Sequence, residues 1–397
     1  MDRLLYLTQR LPFPPNKGEK IRQYEILRYL RLSYDVWLGT LVDDPVDAAH
    51  IATVQAFCPQ SYIGILNRQR AKITCLRGIL TGEPLSVTFY RHAGLTKWVK
   101  KLVADMQPQL IVVCSSNMAP YVMDLPRPNS RLVVDLTDVD SEKWRAYSAT
   151  GSGPMRAVYR REWRQTAALE GRIAREAEAS LFVSTQEAAL FQSQHPSEAD
   201  RIHAISNGVD HAYFDPAHTT ERPFDDRPHY VFTGTMDYRP NIDAVDWFAR
   251  AILPLVQSRL PGAQFIIVGA NPVQAVQALS QLPGVSVTGR VPDVRPYFAH
   301  AAACVAPMRI ARGIQNKVLE AMAMARPVIV TADALEGIDA IPSAEVLLAN
   351  SPDEFAVACL KALEPASASI GQAARRRVLQ DYTWSERLHG LDRLLAP

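Results

Sequence analysis

The sequence predicts an α/β protein of two domains, each wound around a parallel sheet, and three observations predict it. Short apolar runs alternate with longer amphipathic stretches along nearly the whole chain, the pattern of repeated βαβ units. The 397 residues suit two domains of roughly 150–200 residues, each large enough for its own core. A polar, proline-containing stretch at 214–229 interrupts the apolar rhythm near the middle and then lets it resume.

In the first half, strands are expected at 3–8, 35–41, 62–66, 110–114, 132–135, 180–183 and 202–205, each a β-branched or leucine-rich run bounded by turn residues. The clearest helix opens after Gly151-Ser152-Gly153-Pro154 and runs to about residue 179, rich in Arg, Glu and Ala. In the second half, strands at 230–233, 264–268, 285–288, 303–306 and 328–330 alternate with helices near 242–258, 272–281, 294–301, 315–325 and 352–363. The closing stretch 381–395 is amphipathic and follows Arg375-Arg376-Arg377. The expected organisation is therefore 1–213 as a first Rossmann-like domain, 214–229 as linker, 230–380 as a second Rossmann-like domain, and 381–397 as a C-terminal helix.

Composition narrows the function. A 48% hydrophobic chain with 43 Lys+Arg against 41 Asp+Glu is globular, and a net charge of +2 gives no support for nucleic acid as partner. The five cysteines (Cys58, Cys75, Cys114, Cys304 and Cys359) form no C-x-x-C pair, which argues against a zinc site or a disulfide framework and for a reducing, cytoplasmic setting. No apolar run approaches the roughly 18 residues that cross a bilayer, and the first residues read as a strand rather than a signal peptide. Neither G-x-G-x-x-G after a strand nor G-x-x-x-x-G-K-[ST] occurs, which weighs against a dinucleotide dehydrogenase or a P-loop enzyme.

In open α/β sheets, ligands bind beyond the carboxyl ends of the strands, so the loops there carry the candidates. The first loop holds Pro12, Pro14 and Pro15 with Asn16 and Lys17, and Gly18 stands where a helix begins and could meet an anion. After the first strand of the second half, Gly234 permits close backbone approach, and Arg239 beside Asn241 can face a phosphate. The densest stretch runs Arg309-Ile310-Ala311-Arg312-Gly313-Ile314-Gln315-Asn316-Lys317, with strand, glycine turn and helix in succession. Its three cations lie within nine positions around a helix N-terminus, suited to a diphosphate. Glu320 follows Lys317 by three residues, on one helix face, where a carboxylate can accept two ribose hydroxyls; the alternative, a surface helix pair, is the less favoured reading. Asp138-Val139-Asp140 ends a strand and could hold Mg²⁺, cap a helix or meet substrate; capping or substrate contact is the preferred reading, with no metal.

Residues 61–101 carry eight cations (Arg68, Arg70, Lys72, Arg77, Arg91, Lys97, Lys100 and Lys101) against one acid, Glu83. With Leu66, Ile73, Leu76, Ile79, Leu80, Trp98 and Val99 interleaved, the region suits peripheral contact with an anionic membrane, or equally a solvated face.

Taken together, these loops resemble the family-4, GT-B-type retaining glycosyltransferases. The resemblance rests on the proline-rich first loop, Ile205-Ser206-Asn207-Gly208-Val209-Asp210, Phe232-Thr233-Gly234 and Gly289-Arg290-Val291-Pro292-Asp293-Val294. Leu319-Glu320-Ala321-Met322-Ala323-Met324-Ala325-Arg326-Pro327-Val328 carries it most specifically, and Tyr382-Thr383-Trp384 completes it. Within the family, Phe13-Pro14-Pro15-Asn16-Lys17-Gly18-Glu19-Lys20-Ile21-Arg22 and Asp138-Val139-Asp140-Ser141-Glu142-Lys143-Trp144 look like the exopolysaccharide-associated (PEP-CTERM/exosortase) sugar transferases.

The resemblance implies two Rossmann-like domains facing across a cleft, with the C-terminal helix crossing back to the first. It implies a metal-independent hexosyltransferase that moves sugar from a nucleotide-diphosphate sugar, a substrate and not a cofactor, to a glycan or lipid-linked acceptor at the cytoplasmic face of the inner membrane. It assigns Lys317, Arg312 and Asp138 to catalysis. Gly18, Gly234, Arg239, Asn241, Arg309, Gly313, Ile314, Gln315, Asn316 and Glu320 go to the donor, and Asn16, Lys17 and Asp140 to the acceptor side. The chain departs from the family at three places. Arg312 stands where the first Glu of the Glu-x7-Glu pair would fall, and Thr235 and Pro240 replace two loop cations. Asp138 lies near the place of the usual first-domain His. A nucleotide-sugar 2-epimerase working through His203 or His211, and a non-catalytic nucleotide-sugar-binding protein, are the alternatives.

Overall fold

The computed structural model describes residues 2–16, 18–150, 152–218, 221–311 and 314–395, without the side chains of Leu76, Arg77, Leu80 and Thr150. The expectations on Lys17, Arg312 and Gly313 lie outside the described residues. The chain divides into two compact units, 1–206 with 388–397, and 207–387.

The first unit holds a seven-stranded parallel sheet: β1 (Asp2–Leu7), β2 (Tyr34–Val42), β3 (Ser61–Ile65), β4 (Leu110–Cys114), β5 (Arg131–Thr137), β6 (Ala179–Phe182) and β7 (Ile202–Ala204), in the order β3-β2-β1-β4-β5-β6-β7. The central strands are apolar on both faces, as strands covered by helices must be; β4 (LIVVC) is buried at all five positions. The second unit repeats the plan with β8 (His229–Thr233), β9 (Gln264–Val268), β10 (Val285–Gly289), β11 (Ala303–Ala306), β12 (Val328–Val330) and β13 (Leu347–Leu348), ordered β10-β9-β8-β11-β12-β13. Both are parallel throughout. In each, the order reverses between the first strand and the fourth (β1 and β4, β8 and β11), which opens a crevice at the strand ends.

The candidate residues are carried or backed by the helices α1 (Gly18–Leu30), α2 (Arg68–Thr81), α3 (Ala93–Met106), α4 (Asp140–Thr150), α5 (Gly153–Glu176), α6 (Arg239–Trp247), α7 (Asn316–Ala323), α8 (Pro352–Lys361) and α9 (Trp384–Leu395). A buried ion pair locks α1 to the sheet: Arg22 donates through Nε and Nη2 to both carboxylate oxygens of Asp135 on β5, at 2.7 and 2.9 Å. Its Nη1 also reaches the Ile205 carbonyl at 2.7 Å. Such a pair is bidentate and fully hydrogen-bonded, the condition under which burying two charges is tolerated. Lys20, equally buried, donates to Asp47 at 2.9 Å.

Two expectations differ from the structure. The stretch 214–229, read as linker, lies inside the second unit, because Phe214 is buried edge-on against Phe298 and Phe224 stacks on His229. The helix expected at 242–258 is split: after α6 comes a π turn at Phe248–Ile252, in which the Leu253 N–H bonds the Phe248 carbonyl, before helix resumes at Leu253–Arg259. Pro254 supplies the reason, since its ring lacks an N–H and crowds the carbonyl one turn back. At the other end of the chain, α9 begins in the second unit and finishes in the first. There Asp392 accepts from Tyr29 at 2.7 Å, and Arg131 Nη2 donates to the Leu394 carbonyl at 3.0 Å. Leu388, Leu391 and Leu395 make its buried stripe.

Candidate functional site

In the second unit two glycines bring the loops after β8 and β9 together. A Cβ on Gly269 would lie 1.6 Å from the Gly234 carbonyl oxygen, so the loops after β8 and β9 touch backbone to backbone. A Cβ on Gly234 would lie 2.6 Å from Asn241 Nδ2, so this glycine makes room for the Asn241 amide. Asn241, 4% exposed, donates from Nδ2 to the Thr235 carbonyl at 2.9 Å and accepts at Oδ1 from Lys317 Nζ at 2.6 Å. Lys317, in the first turn of α7, also lies 3.8 Å from Met308 Sδ and 4.4 Å from the centroid of the Phe232 ring.

An ammonium has three N–H donors. Asn241 and Met308 take two, so the described partners leave one for a ligand beside the helix N-terminus, where α7 adds its own partial positive charge. One turn on stands Glu320, whose carboxylate has no hydrogen-bond partner among the described residues. Both side chains are packed round by the core yet partly open to solvent. Burial draws the Lys317 ammonium down to about 7, with Glu320 pulling the other way. Burial likewise pushes the Glu320 carboxyl up to about 7, opposed by Lys317. A cation and an anion held in this state are under-solvated and gain from an incoming anion and from hydroxyls, respectively.

The first unit has its own recess at the equivalent place. About 310 Å³ of space is lined by Gln9 after β1, Ser115 and Asn117 after β4, Thr137 at the end of β5 and Asp138 and Asp140 after it, together with Glu19 and Gln23 of α1 and Trp144 of α4. Ser115 (φ 78°) and Thr137 (φ 68°) hold left-handed backbone, which a β-branched threonine adopts only when its surroundings impose it. At Thr137 the register with β6 also slips, which turns the chain out at Asp138. Desolvation on the side facing the recess, reinforced by Glu187 and Asp140, raises the Asp138 carboxyl, although the residue stays exposed to solvent; burial and Glu187 also raise Asp140, against Lys143.

Residues 227–365 match the model of a family described as Glycosyl transferases group 1. The matched stretch runs from β8 through α8 and contains the whole Gly234–Asn241–Lys317–Glu320 constellation. Among curated proteins none matches the chain in sequence. Solved structures similar to it include sucrose-phosphate synthase from Thermosynechococcus elongatus, 17% identical with a TM-score of 0.66, covering 99% of this chain and 98% of that one. HepE of Anabaena in complex with UDP-glucose is similar at 16% identity and a TM-score of 0.66, covering all of both chains. WaaG, a glycosyltransferase involved in lipopolysaccharide biosynthesis, is similar at 16% identity and a TM-score of 0.65, covering 99% of this chain and all of that one. At such identities the likeness establishes the fold: two parallel-sheet α/β domains of the GT-B kind.

The structure brings together some of the residues expected at the donor and separates others. Gly234, Asn241, Lys317 and Glu320 belong to one constellation, with Gln315 and Asn316 at the start of α7; Asn316 Oδ1 is buried without a partner among the described residues. Ile314 packs against the core beside Gly337. Arg309 turns elsewhere: its Nε and Nη2 bond both oxygens of Asp243, at 3.1 and 2.7 Å, and its guanidinium lies 5.0 Å from the Trp247 ring centroid. Its charge is thereby matched within the protein. Arg239 is exposed at the start of α6. In the first unit, Gly18 begins α1 in open space and Asn16 is exposed with only its backbone N–H bonded, to Pro14. Neither lines the recess that holds Asp138 and Asp140. Sequence reasoning overlooked Gln9, Gln23 and Asn117, although Asn117 follows an unmistakable strand and the rule of strand carboxyl ends would have found it.

Proposed function

We propose that the protein is a glycosyltransferase that moves a sugar from a nucleoside-diphosphate sugar to a glycan acceptor, with retention at the anomeric carbon and without a metal. The observation that carries the reading is the Lys317–Glu320 pair at the N-terminus of α7, set in the family-matched stretch at the crevice between β8 and β11. As the bond between the anomeric carbon and the diphosphate breaks, negative charge grows on the leaving group. Lys317 and the α7 dipole meet that charge with donors already in place, while Glu320 accepts the ribose hydroxyls. HepE was solved with UDP-glucose, which supports a nucleoside-diphosphate sugar as donor. The first-unit recess is the place for the acceptor, with Asp138 as the group beside the reacting hydroxyl and Asp140 on the acceptor side. His203, one of the two histidines the epimerase reading would use, sits on edge strand β7 and does not line this recess.

The test is turnover. Incubated with a panel of nucleotide sugars and excess EDTA, the protein is expected to release nucleoside diphosphate from one of them. Activity abolished by EDTA and restored by Mg²⁺ or Mn²⁺ would overturn metal independence; release from none would overturn the donor assignment.

A lipid-linked acceptor in exopolysaccharide biosynthesis, reached at the cytoplasmic face of the inner membrane, completes the proposal. Among the described residues no helix is long and apolar enough to cross a membrane. The surface around α2 instead exposes Ile65, Ile73 and Ile79 beside Arg68, Arg70 and Lys72. Arg91 and Lys101 contribute less, being paired with Glu83 at 2.5 Å and Asp105 at 2.7 Å, and Arg68 lies 3.8 Å from Asp43. With about 1 kcal/mol per cation near an anionic surface, changing Arg68, Arg70, Lys72 and Arg77 to serine should abolish co-sedimentation with anionic liposomes. High salt should do the same to the unaltered protein. Failure of the wild type to sediment at low salt would point to a soluble acceptor.

A further inference from the structure

The first-unit recess has a chemical polarity that its residues fix. Glu19, ion-paired with Arg10, can only accept hydrogen bonds. Gln9 must therefore donate to it through Nε2, at 2.8 Å, which leaves Gln9 Oε1 to accept from Asn117 Nδ2 at 2.7 Å. That relay fixes the Asn117 amide and leaves its Oδ1, an acceptor, without a partner among the described residues. Gln23 Oε1 and the Thr166 hydroxyl, in the same lining, are also buried without a partner among the described residues. Asn117, Gln23 and Thr166 are 6%, 4% and 2% exposed, so water does not satisfy them freely. Two open acceptors and a hydroxyl among the residues of one recess suit an occupant that brings donors.

The charges agree. With Glu19 matched by Arg10, the lining carries the carboxylates of Asp138 and Asp140 against the lining cation Lys143, and Glu187, bonded to the Val139 N–H at 2.8 Å, stands behind. A phosphate or carboxylate would enter against this field. The indole of Trp144, backed by Tyr159 at 6.0 Å, supplies an apolar face in the same lining. The volume, about 310 Å³, is at the small end of the ~300–1,000 Å³ range of ligand sites.

We propose that this recess binds a single sugar ring, neutral or amine-bearing, which rests on Trp144 and donates hydroxyl hydrogen bonds to Asn117 and Gln23, and that it refuses uronates and sugar phosphates. The inference deepens the glycosyltransferase reading, in which this ring is the acceptor's terminal sugar. Asn117 and Gln23 are then specificity residues, and Gln9 is a positioning residue that acts through Asn117.

Ligand-observed saturation-transfer NMR on the full chain tests it, with methyl glucoside, methyl galactoside, methyl mannoside, N-acetylglucosamine, glucosamine, glucuronate and glucose 6-phosphate as probes. A neutral or amino sugar should give transfer, and glucuronate and glucose 6-phosphate none. Asn117→Leu and Trp144→Ala should weaken the binding sugar tenfold or more while leaving nucleoside-diphosphate affinity at the second unit unchanged, which also reports that each variant folds. Gln9→Leu frees the Asn117 amide to turn and should narrow the discrimination against glucuronate. Transfer from no sugar, equal binding of the anionic ones, or undiminished binding in the Trp144 variant would overturn the inference. Nucleoside-diphosphate binding with no sugar binding would sink this proposal alone; sugar binding with no nucleotide binding would instead sink the donor assignment.

Discussion

Replacing Lys317 with alanine is expected to lower kcat by about 10²–10³-fold, roughly 2.7–4 kcal/mol, with a much smaller change in KM for the donor. The asymmetry follows from timing. Charge on the diphosphate is greatest as it leaves, so a fixed ammonium binds the transition state more tightly than the ground state. Lys317 is fixed: Asn241 accepts from it at 2.6 Å and the Phe232 ring lies beneath it. Lys317→Met keeps most of the buried stem and removes only the charge, so it should match the alanine variant in kcat. Steady-state kinetics on both variants is the check. A rise in KM with kcat intact would show that Lys317 docks the donor and takes no part in the step.

Replacing Glu320 with alanine should weaken donor binding by roughly 10- to 150-fold, the worth of about 1.5–3 kcal/mol for a hydrogen bond to a charged group. Its pH signature separates it from Lys317. With the carboxyl raised to about 7, Glu320 becomes an ionised acceptor only as pH rises through that value, so its share of donor affinity grows with pH. Lys317, drawn down to about 7, loses its charge over the same range. A bound diphosphate holds the lysine's proton on, so that share of affinity falls as pH rises above 7. Donor affinity should peak near neutrality. Glu320→Ala should remove the rising limb and Lys317→Met the falling one. Affinity unchanged in a folded Glu320 variant would take the residue out of the site.

Much of the fold was legible because its signal is local. The run Leu110–Cys114 reads as a fully buried strand and is one, and Gly18 begins a helix where the first loop ends. Both sheets follow from repeated βα rhythm, which needs no knowledge of distant partners. Pro254 marked the weak point of the 242–258 helix, but proline alone does not say whether a chain kinks, stops or widens into a π turn. The site was legible in part for the opposite reason. Glu320 and Lys317 lie one turn apart, so spacing alone places them together. Asn241, by contrast, meets Lys317 across 76 positions, and Asp243 captures Arg309 across 66. Such pairings are set by how β8, α6 and α7 pack, and a cation counted along the sequence gives no hint that a carboxylate already holds it. The Asn117–Gln9 bond, 108 positions apart, was invisible likewise.

The measurement closest to the central claim is titration calorimetry of UDP, GDP, ADP, CDP and dTDP into the unaltered protein at pH 7, in EDTA. The account predicts saturable one-to-one binding of at least one of them, weakened at least tenfold by Glu320→Ala. Binding by none, or binding that Glu320→Ala leaves intact, would contradict it.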